Sequence, residues 1–309
     1  MATTTAAYQV VQRDLTQQFN MRAGAATPFY PEICTIVPST SIDEKYGWLG
    51  ALPGVREWLG DRLFKQLRAA NYTLANKDWE SSLEFEKNDI DDYRTGGFLA
   101  QIQGLADEAT YHPDELLFQV IANAEATACF DGQYFFDTDH SWGDSGTQSN
   151  DLTYAATTGT APTTAEWKAS FHQALIAMLG FKNDQGKYYI RPRVGKLGNL
   201  IACVPLAQYE VANAAFEQVI SVEGSVATTN VYLEKPKVIP CQYITDAAKW
   251  HLYYVGGPVR PFVFQARRPL SFQMKGADDI EYKYLKAMTW ARYNIGFGHW
   301  ASAVLTTFT

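Results

Sequence analysis

The 309-residue chain has only four cysteines, Cys34, Cys129, Cys203 and Cys241, far apart and with no C-x-x-C pair. A zinc site recognisable from sequence needs Cys or His ligands at short spacing, and a disulfide scaffold is short and Cys-dense, so neither is expected. The expectation is four dispersed, reduced core thiols in a reducing compartment. Charge is scarce too. Asp, Glu, Lys and Arg make up 19% of the residues, against about 25% in an average soluble domain, and the formal net charge is −7. No block of Lys and Arg occurs, which argues against broad nucleic-acid binding through phosphate neutralisation. No uninterrupted apolar run of about 18 residues exists, so no bilayer-spanning helix is expected. The start, MATTTAAYQVVQRDLTQQF, has no basic segment followed by an apolar one and does not read as a secretory signal. Catalytic motifs are also missing. There is no G-x-x-x-x-G-K-[ST] loop, no G-x-G-x-x-G after a strand and no G-x-S-x-G elbow; Gly143-Asp144-Ser145-Gly146-Thr147 has its glycines misplaced.

The chain is instead rich in apolar and aromatic side chains. Apolar residues make up 47% and aromatic residues 14%, enough to bury a core and exclude disorder. Low charge with abundant Tyr, Trp and Phe is also the composition of interface cores, and points to a chain that covers part of its outside with copies of itself. The length allows one or two domains.

Along the chain, Val10, Val11, Leu15 and Phe19 recur at helical spacing before Gly24, Pro28 and Pro31 break the pattern into an arm. Residues 33–37 read as a short strand. Residues 38–92 carry Tyr46, Trp48, Trp58, Tyr72 and Trp79 among Pro53 and several glycines, too thin for a core but suited to an outstretched flap, with a helical piece at 63–70 and strands at 72–74 and 82–85. The strongest helical signal spans 97–129, where Phe98, Leu99, Ile102, Leu105 and Ala106, then Leu116, Leu117, Val120 and Ile121, share one face. Pro113 in its middle is either a kink or a fresh N-terminus. A turn-rich loop at 130–165 leads to a helix capped by Thr164 and stopped by Gly180. Strands follow at 200–204, 231–233, 237–244, 250–255 and 262–265, with a helix at 206–220. Residues 280–305 read as two strands joined around 294–298. The class is α+β with mostly antiparallel strands.

The best catalytic candidate is Asp137-Thr138-Asp139-His140, with Asp131 and His112 nearby, because aspartates and a histidine hold divalent metals and activate water. The same residues also populate turn-rich loops, and the five histidines are scattered. No catalytic residue, metal ligand or cofactor site is therefore assigned. The acidic run Glu84, Glu86, Asp89, Asp91, Asp92 reads as a salt-bridging face, and Arg191, Arg193, Lys196, Arg267 and Arg268 as structural ion-pair partners.

Several ordered blocks carry a resemblance. They are Ile36-Val37-Pro38-Ser39-Thr40, Glu44-Lys45-Tyr46-Gly47-Trp48-Leu49-Gly50 and Arg56-Glu57-Trp58-Leu59-Gly60-Asp61-Arg62. Asn71-Tyr72-Thr73-Leu74-Ala75-Asn76, His112-Pro113-Asp114-Glu115, the run from Asp131 to His140, and Pro261 to Arg268 continue the series. In order and spacing these blocks resemble the major head subunit of Mu-like bacteriophages, over about residues 30–309.

The resemblance implies an α+β, Hong Kong 97-type phage capsid fold. It places an N-terminal arm at 1–35, an extended loop and peripheral-domain strands at 36–96, the spine helix at 97–129, an axial domain at 130–262, and a return to the peripheral domain at 263–309. It implies a non-enzymatic structural protein that assembles with itself as hexamers and pentamers into an icosahedral phage head. The head encloses double-stranded DNA without sequence-specific binding or membrane contact, and is assembled in the host cytoplasm. A separate scaffold and protease, a portal and a decoration protein are the implied partners. Tyr46, Trp48, Arg56, Glu57, Trp58 and Arg62 on the extended loop are the expected contacts between subunits. Two other readings are an encapsulin-like nanocompartment shell and a metal-dependent hydrolase using Asp137, Asp139 and His140.

Overall fold

A computed structural model describes residues 2–46, 72–91, 95–190, 199–217, 220–223, 226–229, 236–276 and 283–309. In chain order the elements are α1 (Ala2–Ala25), α2 (Tyr30–Ile33), β1 (Cys34–Pro38), β2 (Asp43–Lys45), β3 (Thr73–Ala75), β4 (Lys77–Glu86), α3 (Lys87–Asp91), α4 (Thr95–Ala122), β5 (Asp151–Tyr154), α5 (Thr164–Gly180), β6 (Leu200–Pro205), α6 (Tyr209–Glu217), β7 (Ile220–Glu223), β8 (Val226–Thr229), β9 (Lys237–Cys241), β10 (Lys249–Tyr254), β11 (Phe262–Lys275), β12 (Tyr284–Phe297) and β13 (Ala303–Phe308). A four-stranded sheet runs β1-β11-β12-β4, and a five-stranded sheet runs β5-β13-β10-β6-β9. The mixed α+β class expected from the sequence is what the chain adopts. No described helix is long and apolar enough to cross a membrane.

The spine helix α4 is 28 residues long, about 42 Å at 1.5 Å per residue. It runs through Pro113 without a second start, which settles the alternative left open above. The neighbouring Asp114 instead caps another element: its carboxylate accepts the backbone N–H groups of Phe29 (2.8 Å) and Tyr30 (2.6 Å) at the start of α2. The helix stops at Ala122, short of the expected 129. The Asn123 amide turns back to the Gln119 carbonyl (2.8 Å), and turn bonds from Ala124 to Ile121 and from Ala126 to Asn123 replace the helical ladder.

The long β11–β12 ribbon pairs from Phe262↔Phe297 to Lys275↔Lys286, with irregularities on either side of Arg268. Pro269 lies in the second of these, where a residue without an N–H cannot complete the ladder. At one end of the ribbon, α1 and α4 pack on it: the Phe19 ring stacks on Phe272 at 4.1 Å, and Phe85 meets Phe98 at 4.7 Å. Leu15 and Phe19 enter this core as their spacing predicts, joined by Tyr8, whereas Val10 faces outward. At the other end, Phe262 and Phe297 bury against Phe135 and the five-stranded sheet, whose core holds Trp167, Trp250, Phe171 and Phe216. Helix α5 starts with a capping box in which Thr163, one residue before the expected cap, accepts the Glu166 N–H while the Glu166 carboxylate accepts the Thr163 N–H.

Residues 280–305 hold the two expected strands, joined after Phe297, and the two enter different sheets. Strand β12 stays in the four-stranded sheet, and β13 crosses to the five-stranded one, antiparallel to β10 and parallel to β5. Gly298 makes the crossing: its N–H donates to the Pro261 carbonyl at 2.7 Å, and a Cβ there would collide with the carbonyls of Arg260 and Pro261. Strand β13 thus leaves the sheet that holds β12, and its near-complete burial suits the interior of the five-stranded sheet between β5 and β10. The helix expected at 206–220 is a 3-10 turn followed by α6, and the strand expected at 231–233 and the helix expected at 63–70 lie outside the described residues.

Phe19 is 2% exposed. Replacing it with Ala should lower the stability of the unassembled subunit by about 3–5 kcal/mol, measured by denaturant unfolding. The same change at exposed Val10 should cost well under 1 kcal/mol.

Candidate functional site

Of the six expected contact residues only Tyr46 falls among the described ones. It is a correction. Its side chain is buried within its own chain, where the hydroxyl donates to Gln265 Oε1 (2.7 Å) and the Gln265 amide donates to the Leu74 carbonyl (3.1 Å). Burial pushes its phenol well above the ordinary range. An aromatic ring at the foot of a loop can fill a local gap as readily as a neighbour's pocket, and here the gap lies at home. Trp48, Arg56, Glu57, Trp58 and Arg62 lie within 47–71, outside the described residues.

The ends of that segment form a tightly held stem. Strands β2 and β3 pair antiparallel, Asp43↔Ala75 to Lys45↔Thr73, and the Tyr46 N–H donates to the Tyr72 carbonyl (2.8 Å). The Asn294 amide holds the Ala75 carbonyl (2.7 Å), and the Phe297 N–H donates to the Tyr72 hydroxyl (2.8 Å). Glu44 closes the base: Oε1 accepts the Thr40 N–H (2.9 Å) and the hydroxyls of Ser39 (3.0 Å) and Ser41 (3.1 Å). These bonds hold its carboxyl below the usual range. Two members of the acidic face are paired, Glu84 with Lys286 (2.9 Å) and Glu86 with Lys283 (2.6 Å). Arg267 donates to the Ser39 carbonyl (3.1 Å), and Arg268 lies over the exposed Trp290 ring at 4.5 Å.

The loop after the spine helix separates the residues the hydrolase reading needs. His112 sits on α4, its Nδ1 2.7 Å from the Tyr293 hydroxyl and its ring 4.4 Å from Trp79. Asp139 is exposed, and Asp137 accepts the backbone N–H groups of Thr138 and Tyr134. Only Asp131 and His140 meet, Nδ1 to Oδ2 at 2.8 Å, and a thiol joins them: Cys129 Sγ lies 2.9 Å from the other carboxylate oxygen. His140 is fully buried and stacks flat on Trp300 at 4.1 Å, 8° from coplanar. Its Nε2 faces Asn150 Oδ1 at 3.2 Å. Burial pushes the Asp131 carboxyl up, but the bonds from His140 and Cys129 outweigh it and the net shift is downward. Burial and the Asp131 charge push the Cys129 thiol far up. Sequence reading missed Cys129 and Asn150. The two-residue step from Cys129 to Asp131 was a usable signal, whereas nothing local marks Asn150.

A family model described as Mu-like prophage major head subunit gpT matches residues 8–167, just over half of the chain. Among curated relatives, the Mu-like prophage FluMu major head subunit of Haemophilus influenzae is 42% identical over 111 residues. The major capsid protein of Escherichia phage Mu is 35% identical over 111 residues. Each aligned stretch covers 36% of this chain and 36% of the relative, so the match spans about a third of either relative's length. Among solved structures, the procapsid of bacteriophage JBD30 is 25% identical, covering 98% of this chain and 76% of that one, with a TM-score of 0.57. The capsid of cyanophage P-SCSP1u, at 11% identity, covers 92% of this chain and 88% of its own with a TM-score of 0.57. A virus-like particle from Pyrococcus furiosus, at 9% identity, covers 95% and 98% with a TM-score of 0.55. The fold is the α+β, Hong Kong 97-type capsid fold.

His251, on β10, is buried with Nδ1 unpartnered among the described residues, and burial together with the Lys249 charge holds it down at about 3. The unfolded chain binds this proton near pH 6.5, and the folded chain only near 3. The contribution is therefore intact above about pH 6.5 and is lost progressively as pH falls toward 3. Unfolding midpoints measured from pH 7.5 to 4.5 should fall with acid, and in His251→Gln the proton uptake on unfolding should be smaller by up to one.

Proposed function

We propose that this chain, which belongs to the family of Mu-like prophage major head subunits, is the shell subunit of a phage head, assembling with itself as hexamers and pentamers into an icosahedral container for double-stranded DNA. The observation that carries the reading is the family match across residues 8–167, which spans α1, the stem, the spine helix and the loop beyond it. The physical features support it. In a ring, each subunit gives one surface and receives another, a heterologous contact that needs two different faces on one chain. The stem at Tyr46 and Tyr72 presents residues 47–71 from a fixed base for the giving face. Trp48 and Trp58 act there as anchors, with Arg56, Glu57 and Arg62 as their charged neighbours. The unit on the four-stranded sheet, with α1 and α4, serves as the peripheral part, and the unit on the five-stranded sheet, with β13 included, as the axial part. A net charge of −7 suits a wall that holds DNA without gripping it. The role is structural and not enzymatic. A separate scaffold and protease, a portal and a decoration protein complete the assembly, which forms in the host cytoplasm and ends in the phage particle.

The test is assembly itself. Purified subunits under crowding or with scaffold should form particles with fivefold and sixfold clusters by electron microscopy. The Trp58→Ala chain should remain folded by circular dichroism yet fail to assemble, because losing one anchor typically costs about 2 kcal/mol or more per contact. A chain that stays monomeric in all such conditions, and is absent from particles of its host, would overturn the reading.

A further inference from the structure

We propose that Cys129, Asp131 and His140 form a binding site for a thiophilic divalent cation, zinc, that staples the loop between the spine helix and the five-stranded sheet. Three ligand atoms of different chemistry, a sulfur, a carboxylate oxygen and a ring nitrogen, lie within 4.8 Å of one another. The side chains of Asp131 and His140 are fully enclosed.

The hydrogen bonds around the imidazole decide how it is presented. Asn150 has its amide orientation set from outside: Nδ2 donates to the carbonyls of Phe135 (2.8 Å) and Trp300 (3.3 Å), and Oδ1 accepts the Asp137 N–H (2.9 Å). Oδ1 is therefore what His140 Nε2 meets, so Nε2 carries a hydrogen and donates it. The lone-pair nitrogen, Nδ1, is left pointing at a carboxylate oxygen 2.8 Å away. Two acceptors at that distance need a cation between them, either a second ring proton or a metal. A ring N–H donated to a fixed carbonyl opposite the ligating nitrogen is the usual outer-shell support of a metal-bound histidine.

Charge counting allows either occupant. With thiol and imidazolium protonated, the carboxylate is balanced and the cluster is neutral. With zinc, thiolate and carboxylate supply two negative charges against the two of the ion, and the cluster is again neutral. Binding breaks one S–H and one N–H bond, forms S–Zn, N–Zn and O–Zn bonds, releases two protons and needs no redox partner. Neither state buries a net charge, which the enclosed site could not sustain. Zinc bonds of about 2.0–2.3 Å place tetrahedral ligand atoms roughly 3.3–3.7 Å apart, which lies between the 2.8–2.9 Å of the two hydrogen-bonded contacts and the 4.8 Å within which all three atoms fall. The second carboxylate oxygen or a water takes the fourth position. A thiolate and an imidazole select zinc over magnesium or calcium, which prefer all-oxygen sets.

The experiment uses the full chain. The subunit purified from zinc-supplemented medium and dialysed should hold close to one zinc per chain by elemental analysis. The metal-stripped chain should take up Co2+ with a thiolate-to-cobalt charge-transfer band, and should release two protons for each Zn2+ added. Cys129→Ser should lose that band and bind zinc at least tenfold more weakly. If that variant does not fold, the wild-type cobalt spectrum and proton count decide alone. A wild-type chain with neither retained zinc nor a cobalt–thiolate band overturns the proposal, as does a band that survives in folded Cys129→Ser.

Discussion

Burial of aromatic rings along a single antiparallel ribbon ties the molecule together. Strands β11 and β12 run 14 residues each, longer than either sheet requires. At one end Phe272, Met274 and Leu285 give α1 and α4 their apolar floor; at the other Phe262, Tyr293 and Phe297 sink into the core that also supports the five-stranded sheet. Rings of this size each remove about 150–250 Å² from water, and those of the ribbon add to the burial of Trp167, Trp250 and Trp300 beyond it. Both ends depend on it: Phe272 lies under Phe19 of α1, with the β4 ring of Phe85 under α4, and β13 follows β12 through the Gly298 crossing.

The loop after the spine helix works on a different principle. It has little regular structure, and its buried polar groups are matched one to one: thiol to carboxylate, carboxylate to imidazole, imidazole to amide, amide to two carbonyls. Such a network is stable only when every member is satisfied, because an unpaired polar group in that interior would cost far more than one bond returns. Stacking of His140 on Trp300 adds apolar cover and ties the network to the turn just before β13.

Much of this was legible beforehand, for reasons that differ by element. The spine helix shows in sequence because its apolar residues repeat with the helical period, but its last turn does not, because Asn123 ends it through a side-chain bond that periodicity cannot register. The strand read at 33–37 shows as a short apolar run, and the one read at 82–85 shows through the alternation of Leu83 and Phe85 with Glu84 and Glu86, which marks only the last part of β4. The destination of β13 does not, since a strand buried almost throughout carries no label for its sheet. The ordered Trp- and Gly-bearing blocks pointed to the family over about residues 30–309, and the family model matches residues 8–167, which hold every block but Pro261 to Arg268. Within the loop, the sequence put Asp137, Asp139 and His140 first and Asp131 beside them. Enclosure separates them: Asp131 and His140 go inside with Cys129, Asp139 stays in water, and Asn150 joins from 10 residues beyond His140.

The cap that Asp114 places on α2 links parts that would otherwise move separately. A single carboxylate on the spine helix grips the chain where it leaves the arm, four residues before it becomes β1, which in turn pairs with the ribbon. Arm, helix and edge strand are thus geared together, and a tilt imposed on one by a neighbouring copy must be handed to the other two. Adjustment to crowded or open surroundings would then proceed with α2, the spine helix and the edge strand rocking as one.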